Sequence, residues 1–410
     1  MNSPDKLNLL NDPIYGFIRI PKGIVFDLIA HPYFQRLRRI SQMGLSYLVY
    51  PGAHHTRFHH ALGAMHLMQE AIALLREKNL EITQEEEQGL LIAILLHDIG
   101  HGPFSHALEN ELIIGVSHER ISTYIMEFLN REFHGKLNLA LEIFKGTYHK
   151  TFLNHLVSSQ LDVDRLDYLK RDSFYTGVAE GNINSERLIT MLSVHENRLA
   201  IEEKGIYSVE KFLMARRFMY WQVYLHKTSL AAEALLVRII RRARQLNAGS
   251  TVVLDNPNLR YFLFDRKEKE PFNSRDLEHF MKIDDVDVLA ALKSWASSAD
   301  AVLSLMSEMI LYRKLPALKF SETPITKKQL EDKRKKIKAQ LDLSDEACEL
   351  LVFSGEISSR VYNHKHQNIL ILTRKGKLKE LATQSEQLNS GVFAGPEVKY
   401  FICSPKKGIY

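Results

Sequence analysis

The sequence predicts a mostly α-helical protein: a large helical core followed by a small C-terminal α+β lobe. Three observations carry this. Apolar residues recur at helical spacing through most of the first 310 positions. A capping-box pair, Thr83 and Glu86, opens an apolar run that Gly100, Gly102 and Pro103 close. Beyond Leu315-Pro316 the character changes to a basic helix and short strand-like runs.

In chain order, residues 58–78 place His60, Ala64, Leu67, Ala71 and Leu74 on one inward stripe. His59, Gly63, His66 and Glu70 fall on a more polar one. The helix opened by Thr83 ends at His97-Asp98, and a tight loop then carries His101 and His106. Helical periodicity continues over 118–133, 152–172, 185–193, 208–246 and 285–312. Lys327 to Lys338 reads as a basic helix with a solvated face or a subunit contact. Ile369-Leu370-Ile371-Leu372 and Val398-Lys399-Tyr400-Phe401-Ile402 read as strands. We divide the chain into a core, 1–317, and a lobe, 318–410.

At 410 residues the chain exceeds one comfortable core. Its 45% hydrophobic and 25% charged residues are those of an ordinary soluble protein. The net charge of +5 permits anionic substrates and is compatible with nucleic acid without implying it. Two cysteines, Cys348 and Cys403, are too few for a disulfide framework or a zinc–thiolate cluster. The N-terminus MNSPDKLNLLNDP lacks a signal-peptide core, and no apolar run reaches the roughly 18 residues of a membrane span. A cytoplasmic location without membrane contact is the expectation.

Nine of the 18 histidines fall between positions 54 and 118. His97-Asp98, at a helix end, offers a nitrogen and an oxygen ligand to one divalent cation from a rigid base. An unpaired aspartate beside the seven apolar residues Leu90 to Leu96 would be costly, so it needs a partner. His60, facing the core, is the candidate neighbour. An acidic ligand is expected from residues 160–172. On one helix, Asp164, Tyr168 and Asp172 would stack at i, i+4 and i+8, with Leu161 and Val157 extending the stripe backwards. Asp162 and Asp167 read as surface partners of Arg165 and Arg171. Arg216, Tyr220, Tyr224 and Lys227 share one face of 208–246, and a solvent-facing stripe fits that spacing as well as a site wall does.

The order His60, His97-Asp98, Asp164 resembles the HD-domain metal phosphohydrolases. The surrounding motifs resemble their deoxynucleoside triphosphate (dNTP) triphosphohydrolase branch. NDPIYG (11–16), HPYFQRLRRISQMG with YPGAHHTRFHHALG (31–63), HDIGHGPFSHALE (97–109) and LDVDRLDYLKRD (161–172) match in order, with RRFMYWQVYLHK (216–227) a weaker match. The resemblance implies an HD-domain helical core with His60, His97, Asp98 and Asp164 as metal ligands. It implies His101, His106 and His118 around the leaving group, with Glu109 where the branch has aspartate. Arg57, Arg165, Tyr168 and Arg216 would hold the triphosphate, Arg165 replacing a lysine. Gln42 and Asp172 would read the sugar 3′-hydroxyl, and Met43 and Tyr224 would pack against C2′.

The implied reaction is hydrolysis of a dNTP to deoxynucleoside and inorganic triphosphate. The ligand set suits Mn, Fe, Co, Ni or Zn, with Mg on the substrate phosphates. A homo-oligomer, dimer or tetramer, is expected. The alternatives are another HD phosphohydrolase, acting on a nucleotide monophosphate, a cyclic dinucleotide or single-stranded nucleic acid, and a catalytically quiet nucleotide sensor.

Overall fold

The computed structural model describes residues 8–247, 254–267, 270–359, 368–385 and 397–406. Its organising helices are those the capping chemistry announces. The Thr83 hydroxyl accepts from the Glu86 backbone N–H at 3.1 Å, and the Glu86 carboxylate accepts from the Thr83 N–H at 2.9 Å. The helix so opened runs Gln84–Leu96 and is buried at every position from Gly89 onward. A helix apolar all round must be enclosed, and Arg57–Glu77 packs along it. Val163–Thr176 packs against Arg57–Glu77 in turn, so the three helices bring their N- or C-terminal turns to one place.

Several long periodic segments are broken in the structure. Residues 152–172 form two helices, Thr151–Val157 and Val163–Thr176. Ser158 is extended, and Asp162 caps the second helix by accepting from the Arg165 N–H at 2.8 Å. Val157 and Leu161 therefore do not continue the helix of Asp164. Segment 208–246 divides into Ile206–Met219, one π turn Tyr220–Tyr224, and Lys227–Asn247. Segment 285–312 divides into Asp285–Trp295 and Ala301–Leu311, the latter capped by Asp300. Segment 185–193 ends as helix at Thr190 and passes into strand Leu192–His195. Apolar periodicity survives each break because both halves face the same core. The capping side chains set the boundaries.

Strands Leu192–His195 and Arg198–Glu202 form a hairpin on the helical core. Leu370–Leu372 adds to it in parallel, Ile371 opposite Ile201, and Leu378–Glu380 completes the sheet. In a second sheet Glu397–Ser404 lies between Ala317–Ser321 and Phe353–Ser359. Leu318, Phe353, Phe401 and Cys403 of that sheet cluster around Ala231 of Lys227–Asn247. Arg242 of the same helix pairs with Asp300 at 2.6 Å and with Glu346. The basic helix runs Lys327–Leu341, and Ile337 is its only buried residue, as a solvated face requires. The fold is mostly α. No helix among the described residues is long and apolar enough to cross a membrane.

Candidate metal centre and active site

His60 sits in the first turn of Arg57–Glu77, His97 and Asp98 in the turn that ends Gln84–Leu96, and Asp164 in the first turn of Val163–Thr176. His60 Nε2 lies 3.1 Å and His97 Nε2 lies 3.4 Å from the same Asp164 oxygen. Asp98 stands 3.5 Å from His97 Nε2 and 3.8 Å from His60 Nε2, and its Oδ2 accepts from Arg57. Each imidazole is held from behind. His60 Nδ1 is 2.7 Å from Asp167, and His97 Nδ1 is 2.6 Å from the Ile94 carbonyl. Both Nε2 atoms are buried without a hydrogen-bond partner.

The field around them attracts positive charge. Burial alone would keep His60 neutral, but Asp164 and Asp167 outweigh it and push His60 up to about 10. Burial would raise Asp164, yet the neighbouring His60 and His97 imidazoles hold it far below the usual carboxylate range. Asp98 is likewise held down against burial, by His97, Arg57 and His101. Two orphaned imidazole nitrogens converging with the Asp164 carboxylate, and Asp98 beside them, fit a divalent metal ion under such a field.

A cavity of about 520 Å³ opens on this cluster. His97, Asp98, Asp164, His101, His118, Arg57, Arg165, Gln42, Met43, Tyr168, Asp172 and Tyr224 line it, so most of the residues named from the sequence share one space. His60 lies fully buried behind that wall. Arg216 is buried beside Tyr220, its guanidinium carbon 5.8 Å from the ring centroid. Glu109 accepts from the His118 backbone N–H at 2.6 Å and meets His118 Nδ1 at 2.9 Å. The His118 ring stacks on His101 at 3.9 Å. Glutamate thus reaches this histidine in spite of its extra methylene. Burial, then Arg57, hold His101 well below the ordinary histidine value. The backbone of His106 belongs to the turn Ser105–Ala107, and its side chain lies outside the described residues.

Neither Asp162 nor Asp167 is the surface residue its pairing suggests. Asp162 is a buried cap that also pairs with Arg165. Asp167 is fully buried between Arg171 and His60. Other participants carry no local signature. His55, stacked on Tyr175, meets Asp172 at 2.7 Å, while the Tyr224 hydroxyl donates to the other Asp172 oxygen at 2.7 Å. Phe104 and Ser105 are both left-handed, with φ of 50° and 44°. Asp285 accepts from the Phe104 and Ser41 backbone N–H groups, each at 2.8 Å, and holds that turn. Ser105 accepts from Arg57 at 3.0 Å. Glu233 lines the cavity, and burial pushes its carboxyl up to about 7. The histidine crowding between positions 54 and 118 takes in His55 without singling it out. Nothing local pointed to Asp285 or Glu233.

Comparison with known proteins agrees with this geometry. Residues 57–172 match the HD domain and residues 183–272 the HD associated region. A solved phosphohydrolase from Bacteroides thetaiotaomicron superposes with a TM-score of 0.93 at 46% identity, covering 98% of this chain and 100% of its own. The uncharacterized protein YwfO of Bacillus subtilis is 32% identical over 398 residues, 93% of this chain and 88% of its own length. The human deoxynucleoside triphosphate triphosphohydrolase SAMHD1 is 29% identical over 283 residues, 58% of this chain and 45% of its own length. With the histidine–aspartate cluster falling inside the matched segment, the chain belongs to the HD-domain family.

Proposed function

We propose that the protein hydrolyses dNTPs to deoxynucleosides and inorganic triphosphate. The observation that carries this reading is the sharing of one cavity of about 520 Å³ by the His/Asp cluster, two arginines and the Tyr168–Asp172–Tyr224 wall. That volume suits a whole nucleotide.

His60, His97, Asp98 and Asp164 would hold a divalent metal, with Mn, Fe, Co, Ni or Zn the suitable ions and Mg on the phosphates, and it would supply Lewis acidity to a bound phosphate. Arg57 and Arg165 offer forked donors to phosphate oxygens. Asp172, fixed by His55 and Tyr224, presents a carboxylate edge for the sugar hydroxyl together with Gln42. Met43 and Tyr224 are bulky where a 2′-hydroxyl would sit. Water oxygen bonds to the α-phosphorus and gives up a proton to solvent as the bond to O5′ breaks, and a proton passes to O5′. His106 is the proposed donor, since imidazole titrates near working pH. The stacked His101 and His118, the latter tied to Glu109, line the leaving-group side. The similarity to SAMHD1 supports the substrate class.

Chromatography of the products from dGTP with added divalent metal tests the reading. Deoxyguanosine and triphosphate are expected together. Orthophosphate or pyrophosphate as the first product would overturn it.

A further inference from the structure

We propose that the N-terminal NDPIYG turn is an outer support of the metal centre, with Asp12 acting through Arg171 and Asp167 to position His60. The inference rests on the metal-site reading of His60 and gives this turn a role.

The turn joins strands Leu9–Asp12 and Gly16–Arg19. Asp12 Oδ1 accepts from the Ile14 and Tyr15 N–H groups at 2.9 and 3.1 Å, which shapes the turn, and Gly16 closes it at φ 73°. Asp12 Oδ2 is left to face inward, where it accepts from Arg171 Nη1 at 2.9 Å. The Arg171 fork donates Nε and Nη2 to the two Asp167 oxygens, both at 2.9 Å. Asp167 Oδ2 then meets His60 Nδ1 at 2.7 Å. Arg171, Asp167 and His60 are fully buried, and Asp12 is 5% exposed.

Two carboxylates share one guanidinium, so the chain from Asp12 to Asp167 carries an excess negative charge that ends at the imidazole. Without Asp12, the buried Arg171 would draw on Asp167 alone and keep one Nη1 hydrogen unmatched. Asp167 would then hold His60 less firmly and make it a poorer ligand. Gly63 shows that the packing is built around this chain. A Cβ there would lie 2.0 Å from Asp167 Oδ1 and 2.2 Å from Arg171 Nη2. Only glycine lets the helix that carries His60 approach the fork so closely.

The test is Mn2+ affinity of the full chain, read by titration calorimetry without substrate, beside circular dichroism of the metal-free protein. Asp12→Asn keeps an oxygen for the turn but removes the charge facing Arg171. The expected result is native circular dichroism, Mn2+ binding weaker by about 10- to 100-fold, and turnover restored by saturating Mn2+ with an unchanged KM. Ile14→Ala, which disturbs the turn without touching the carboxylate, is expected to bind Mn2+ as wild type does. Should Asp12→Asn fail to fold, Arg171→Lys carries the test, since it keeps the charge but loses the fork, and the same weakening is expected. Wild-type Mn2+ affinity in whichever variant is folded, or weakening in Ile14→Ala equal to that in Asp12→Asn, overturns the proposal. Absence of Mn2+ binding in the wild type would overturn the metal-site reading and this inference together. Absence of dNTP hydrolysis in a wild type that binds Mn2+ would overturn the proposed function alone.

Discussion

Replacing Glu233 with glutamine measures how dry the candidate cavity is. Its carboxyl faces the cavity and, among the described residues, has no ion pair or hydrogen bond to offset burial, which moves it from 4.5 up to about 7. The folded state therefore keeps a proton that the unfolded chain releases earlier. Stability falls as pH rises from about 4.5 to about 7, and the penalty is complete above that window. At about 1.4 kcal/mol per pH unit, the full penalty is about 3 kcal/mol. Glutamine keeps the shape and never ionises. With an unfolding entropy of about 2 cal/mol/K for each of 410 residues, about 3 kcal/mol moves Tm by about 3–4 °C. In scanning calorimetry Glu233→Gln is expected to melt about 3–4 °C above wild type at pH 8 and less than about 1 °C above it at pH 5. An equal shift at both pH values, or a lower Tm at pH 8, would refute the reasoning and place water against the carboxyl.

Asp98→Ala is expected to lose both bound metal, read by elemental analysis, and hydrolysis, read by product chromatography. Near-wild-type turnover with metal retained would remove the proposed site. Tyr224→Ala opens the wall beside the sugar and frees one Asp172 oxygen, so the ratio of dGTP to GTP turnover should fall by about tenfold or more, the scale of a single packing contact. An unchanged ratio would show that Tyr224 does not exclude the 2′-hydroxyl.

What was legible in the sequence was local chemistry. The reciprocal Thr83–Glu86 cap fixed one helix start, and His97-Asp98 at the end of its apolar run marked the candidate metal cluster. The breaks at Ser158, Leu225 and Trp295 were hidden because hydrophobic spacing continues across them on the core side. The burial of Asp167 is hidden for a related reason. An aspartate four residues before an arginine looks like an exposed pair, and only the helix packed across it, with glycine at position 63, turns that pair inward toward His60. His55, Asp285 and Glu233 act across separations that no periodicity encodes. Their roles belong to the packing.

The parallel pairing of Ile201 with Ile371 has a consequence for biosynthesis. A ribosome delivers residue 201 long before residue 371, so the hairpin strand Arg198–Glu202 emerges with one edge lacking its neighbour. Closing a loop of this length is slow relative to helix formation, because distant segments must meet before their contacts reward the meeting. The helical centre can assemble while that edge waits, and an unpaired edge is a template for other chains. Leu370–Leu372 thus acts as a late seal, covering that edge once the chain is long enough to supply it.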